Sequence, residues 1–130
     1  MKIAVDTNII LRIMTCDDEK LLSRARNLVK RHGGGDIYVC YAVMMETHYV
    51  LSKYYKYSPV AIVEAFKDLM RIEQFHFEHE TAVRLALARQ EHGFSFADSL
   101  IGEIGNIKNL KTYTFDKALK RNSSFIILSD

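Results

Sequence analysis

Lys2-Ile3-Ala4-Val5-Asp6-Thr7-Asn8 begins the chain with a short apolar run stopped by three polar residues. It reads as a buried strand over residues 2–5 that delivers a carboxylate at its carboxyl end. Asp36-Ile37-Tyr38-Val39-Cys40-Tyr41 repeats the pattern with β-branched and aromatic side chains. Further strands are expected at 74–77, 110–115 and 125–128. Between these runs the apolar spacing changes to three and four, as at Leu21, Leu22, Ala25, Leu28 and Val29. That period predicts helices at about 17–31, 42–56, 60–72, 78–91 and 95–106. Gly33-Gly34-Gly35 ends the first of them, Ser58-Pro59 opens the third, and Gly93 closes the fourth.

Strands alternating with helices predict an α/β fold with a parallel sheet covered on both faces, which binds ligands outside the carboxyl ends of its strands. Asp6 ends the first strand and Asp116 the fourth. Glu46 lies about one turn into the helix after the second strand, and Asp98 near the start of the helix that feeds the fourth. Four acids are thus expected at one edge.

The 130 residues suffice for one domain over residues 1–130, with one core and no internal linker. A formal charge of +2, from 18 basic and 16 acidic residues, gives no global reason to invoke nucleic acid or a membrane, so any such contact must be local. Cys16 and Cys40 form neither a C-x-x-C pair nor a zinc spacing, which fits a reducing compartment. With no signal-peptide core and no apolar run of membrane-spanning length, the expected location is the cytoplasm.

Taken singly, each acid has a structural role open to it. Asp6 and Asp116 suit helix N-caps, and Ser95-Phe96-Ala97-Asp98 has the form of a capping box. Glu46 differs, since Val43, Met44, Met45, Val50 and Leu51 crowd it in sequence and a buried carboxylate is costly without a partner. Taken together, four neighbouring carboxylates repel unless protons or a cation neutralise them, and Lys117 alone stands beside one of them in sequence. All-oxygen donors suit Mg²⁺ or Mn²⁺. Such an ion activates water and offsets charge on a phosphodiester, which is nuclease chemistry. Asn8 and Thr114 stand beside the acids as supporting hydrogen-bonding residues or as ordinary turn and strand residues.

Other features carry less. His32, His48, His76, His79 and His92 read as surface or packing residues, and Glu46-Thr47-His48 lacks the H-E-x-x-H order of a metalloprotease helix. The triple glycine lacks the Lys-Ser/Thr of a phosphate-cradling loop. Arg24, Arg26, Lys30, Arg31, Lys53 and Lys56 form either a solvated helix face or contacts to RNA phosphates. Tyr49, Tyr54, Tyr55 and Tyr57 suit an interface or a cap on the core.

Val5-Asp6-Thr7-Asn8-Ile9-Ile10-Leu11, Glu46 in an apolar helix, Phe96-Ala97-Asp98 and Thr114-Phe115-Asp116, in that order along the whole chain, resemble a PIN domain of the VapC-type toxins of toxin–antitoxin pairs. The resemblance implies a three-layer α/β/α fold around a central parallel sheet of four or five strands. It implies a Mg²⁺- or Mn²⁺-dependent endoribonuclease, restrained by a cognate antitoxin and homodimeric. Asp6, Glu46, Asp98 and Asp116 would be the catalytic, metal-binding acids, with Asn8 and Thr114 in support. Many relatives carry another acid shortly after the position of Asp116, where this chain has Lys117, Ala118 and Leu119, a departure that bears on a second metal site. Two other functions compete. One is a noncatalytic RNA- or protein-binding domain of the same fold, and the other a receiver-type phosphoacceptor, which fits poorly because Thr7 and Asn8 replace the acidic pair it needs.

Overall fold

The computed structural model describes residues 1–128. The chain forms two compact units, residues 1–78 and residues from 79 onward. The first holds β1 (Ile3–Ala4), α1 (Thr7–Thr15), α2 (Glu19–Lys30), β2 (Ile37–Val39), α3 (Tyr41–Lys53), α4 (Pro59–Met70) and β3 (Phe75–Phe77). The second holds α5 (Glu80–Arg89), α6 (Phe96–Ile107), β4 (Thr112–Thr114) and β5 (Phe125–Ile127), with single 3-10 turns at Gln90–His92 and Lys117–Leu119.

All strand pairing is parallel, as the alternation of elements predicts. In the first unit the order is β1-β2-β3, with Ile3 opposite Ile37, Ala4 opposite Tyr38 and Ile37 opposite Phe75. In the second unit β4 pairs β5, Thr112 lying opposite Phe125. The five expected strands are therefore present, hydrogen-bonded as three and two. In both β2 and β3 the flanking residues (Ile37 and Val39, Phe75 and Phe77) are buried and the central one exposed, with Tyr38 and His76 stacked side by side at 6.0 Å. Residues i and i+2 share a face, and burying both of them on each strand fixes the register.

Helix α1 departs from expectation, since the apolar period alone starts the first helix at 17. Five of its nine residues are β-branched (Thr7, Ile9, Ile10, Ile13 and Thr15), which lowers helix propensity and masks the helix. A local cap and tertiary burial override that preference. The Ile9 N–H donates to Asp6 Oδ1 at 3.2 Å, and Ile10 and Leu11 are buried. Cys16, in the left-handed region at φ 54°, ends α1, and Asp18 caps α2 by accepting from the Leu21 N–H. As expected, Ser58 caps α4 with Pro59 in its first turn. Both cysteines are free.

A polar cluster ties the α1–α2 connection to the segment after α3. Asp17 accepts from the Tyr55 hydroxyl at 2.7 Å and from Arg12 Nη1 at 2.7 Å, with the Thr15 hydroxyl 2.9 Å away. These donors, Tyr55 foremost and then Arg12 and Thr15, pull the Asp17 carboxyl down to about 2. In the second unit α5 and α6 pack together through buried Ala82, Val83, Ala86, Leu87, Phe96 and Leu100. Arg89 Nε donates to the buried Glu103 at 2.8 Å. Gly102 of α6 admits the Phe125 ring and Ser124, which a Cβ there would meet at 2.8 and 2.9 Å. No described helix is long and apolar enough to cross a membrane.

Candidate functional site

In the first unit, β1 and β2 run parallel and adjacent, so their exits lie side by side at one sheet edge. Asp6 follows the exit of β1, and α3, which begins at Tyr41, follows the exit of β2 with Glu46 as its sixth residue. Both acids are exposed. For Glu46 this corrects the expectation of crowding: Met44, Thr47 and Leu51 form the buried stripe of α3. Two residues beyond Met44 is a rotation of about 200°, which turns Glu46 away from that stripe.

In the second unit the structure brings Asp98 and Asp116 to one cavity of about 310 Å³, which His92, Ser95 and Arg121 also line. Each acid is held by local hydrogen bonding. The Ser95 hydroxyl accepts from the Asp98 N–H at 3.1 Å and caps α6. The Thr114 hydroxyl accepts from the Asp116 N–H at 3.0 Å, which fixes the backbone at the exit of β4. Thr114 thus supports Asp116 through the main chain. Asp116 Oδ1 then accepts from the Ala118 N–H at 2.9 Å and starts the 3-10 turn that buries Leu119. Gly93, at φ +84°, sits on the cavity wall in a conformation that side chains rarely adopt.

The capping roles open to Asp6 and Asp116 are therefore real, and they leave capacity over. An ionised carboxylate offers about four lone-pair sites on two oxygens. Each cap uses Oδ1, and Oδ2 of both residues has no protein donor among the described residues. None of Asp6, Glu46, Asp98 and Asp116 is ion-paired among the described residues. Within either unit, no three His, Cys, Asp or Glu side chains among the described residues form a group able to hold a metal. The Asp98–Asp116 pair still fits a hard cation of the Mg²⁺ type, which binds through one or two carboxylates and keeps several waters. Asn8, the other supporting residue expected, is exposed and lines a different hollow, between α1 and α2.

Arg121 and His92 were not legible as cavity residues. Neither falls in a strand-end or helix-start pattern; Arg121 reaches the cavity because the 3-10 turn after Asp116 folds the chain back, and His92 because Gly93 ends the turn at Gln90–His92.

The chain is similar to a toxin–antitoxin complex chain from Klebsiella pneumoniae, with 16% identity, 95% of this chain and 94% of that one covered, and a TM-score of 0.36. It is also similar to a chain of VapBC2 from Rickettsia felis bound to a DNA fragment from its promoter, with 18% identity, 98% of both chains covered and a TM-score of 0.38. No curated protein matches it. The model of one family, described as PIN domain, matches residues 3–124. Spanning nearly the whole sequence, that match shows that the chain belongs to the PIN domain family.

Proposed function

We propose that this protein is a divalent-metal-dependent endoribonuclease that hydrolyses RNA phosphodiester bonds, acting as the toxin of a toxin–antitoxin pair. In this reading residues 1–130 work as one catalytic domain, homodimeric, in the cytoplasm, and restrained by a cognate antitoxin. Asp6, Glu46, Asp98 and Asp116 hold Mg²⁺ or Mn²⁺. When bound, such an ion activates water and offsets the negative charge that builds on the phosphodiester.

The observation that carries the proposal is the cavity shared by Asp98 and Asp116, where, among the described residues, neither acid has a cationic partner and Asp116 keeps one oxygen uncommitted. Arg121, on the same cavity, makes no ion pair among the described residues. Its planar fork suits a substrate phosphate. Ser95 and Thr114 hold the backbone of the two acids in place, and Asn8, one residue into α1 from its start, supports Asp6.

Incubating the purified protein with single-stranded and structured RNA, with Mg²⁺, Mn²⁺ or EDTA, tests the reading. Cleavage is expected with either metal and none with EDTA. Asp6→Asn and Asp116→Asn should each abolish it while leaving the circular-dichroism spectrum unchanged, because Asn caps as well as Asp. Equal cleavage by parent and variants would assign the activity to a contaminant. Tight RNA binding without turnover, across metals and substrates, would leave a binding domain of this fold.

A further inference from the structure

The first unit contains a larger hollow than the acidic one. A groove of about 1000 Å³ runs between α1 and α2, from Asn8 and Ile9 at the start of α1 to Arg31 just past the end of α2. Four cations line it, Arg12, Arg24, Lys30 and Arg31, and no acid does. Arg12 is engaged by Asp17. Arg24, Lys30 and Arg31 make no ion pair among the described residues. In a chain whose charges otherwise nearly balance, an acid-free hollow with three uncompensated cations is a local anion-attracting field.

We infer that this groove is the seat of the single-stranded RNA flanking the cleaved bond, a proposal that rests on the nuclease reading above and extends it to substrate binding. The placement of the charges selects a nucleic-acid strand. All three uncompensated cations come from α2 and the residue that ends it, and Arg24 and Arg31, seven residues apart, stand about 10 Å apart along the helix axis on nearly the same face. Two charges spaced along one face, with Lys30 beside the second, match phosphates of one strand. The groove also reaches Asn8, two residues beyond Asp6, so a strand lying in it runs toward one of the proposed catalytic acids. Its floor, which includes Ile9, Leu21 and Leu28, contains no aromatic ring to stack a base. Binding here is therefore dominated by phosphate contacts, indifferent to sequence and steeply salt-dependent. Arg26 of the same helix does not line the groove; it lines an adjoining hollow with Glu19, which Lys30 borders as well.

The test is fluorescence anisotropy of a labelled oligouridylate in EDTA, across a salt series. For the variant Arg24→Gln/Lys30→Gln/Arg31→Gln, the slope of log affinity against log salt should fall in magnitude by about 2, at roughly 0.7 for each phosphate left without its cation, and affinity should drop roughly tenfold or more. The charge-keeping variant Arg24→Lys/Arg31→Lys should retain the slope, as should Arg26→Gln/Lys53→Gln. A triple variant with the parent's slope and affinity overturns the inference. So does a triple variant that binds RNA like the parent but no longer binds a poly-glutamate peptide, which would assign the groove to an acidic protein segment. If the parent never cleaves RNA yet the triple variant shows the reduced slope, the nuclease reading fails and the groove assignment stands. If the parent cleaves and the slope is unmoved, the reverse holds.

Discussion

Replacing Arg89 with methionine removes the cation that compensates Glu103, a carboxylate whose side chain is 7% exposed inside the second unit. The pair is a 2.8 Å hydrogen bond between Arg89 Nε and Glu103 Oε1, and Arg89 itself is 29% exposed. Removing one partner of a fully buried pair costs about 3–5 kcal/mol, because the other charge remains desolvated. Water reaching Arg89 already screens part of this interaction, which brings the expected loss for Arg89→Met to about 2–3 kcal/mol at pH 7. The double variant Arg89→Met/Glu103→Leu removes both charges and keeps apolar volume, so it should return to within about 1 kcal/mol of the parent. Urea unfolding followed by circular dichroism measures both, read as a midpoint change at constant m-value. A single variant that loses less than about 1 kcal/mol would overturn this account, since typical exposed pairs contribute about 0.2–1 kcal/mol. A double variant as unstable as the single one would overturn it too, by showing that Arg89 acts through packing.

Three other outcomes follow from local geometry. Gly102→Ala gains about 1 kcal/mol of helix propensity but drives a methyl to 2.8 Å from Phe125 and 2.9 Å from Ser124, an overpacking cost of about 1–3 kcal/mol, so the urea midpoint should fall. Asp17, depressed to about 2, contributes stability that is fully present above the ordinary carboxyl value of 3.8 and is lost as pH falls from there toward 2. Tyr55→Phe removes its leading donor, so carboxyl-detected NMR should show Asp17 titrating nearer 3.8; an unmoved titration would leave the effect to Arg12 and Thr15. Asp6→Ala should abolish cleavage like Asp6→Asn and in addition cost about 1 kcal/mol of stability, because alanine cannot accept from the Ile9 N–H; equal melting of the two variants would deny Asp6 its capping role.

The fold was readable wherever burial imposes a strict period. The five strands lie within the runs expected of them, because burying residues i and i+2 of β2 and β3 demands apolar residues there. Turn chemistry at Ser58-Pro59 placed the start of α4 within one residue, and its end two residues late. Helix α1 was not readable, since its β-branched residues argue for a strand and only the Asp6 cap and the burial of Ile10 and Leu11 decide otherwise. At the candidate site, the pairing of Asp98 with Asp116 followed from strand-exit reasoning, whereas the exposure of Glu46 required the phase of α3. Arg121 depended on a three-residue turn, too short to leave any periodic trace.

Asp6 and Asp116 each spend one oxygen on the peptide chain, and in the proposed nuclease the other serves the chemistry. Exchanging that second oxygen for an amide nitrogen therefore silences the acid without unmaking the turn it anchors. Under that proposal, a gene carrying such a change would encode a folded decoy that escapes the proteolysis awaiting misfolded chains and competes with its active counterpart for whatever the protein grips.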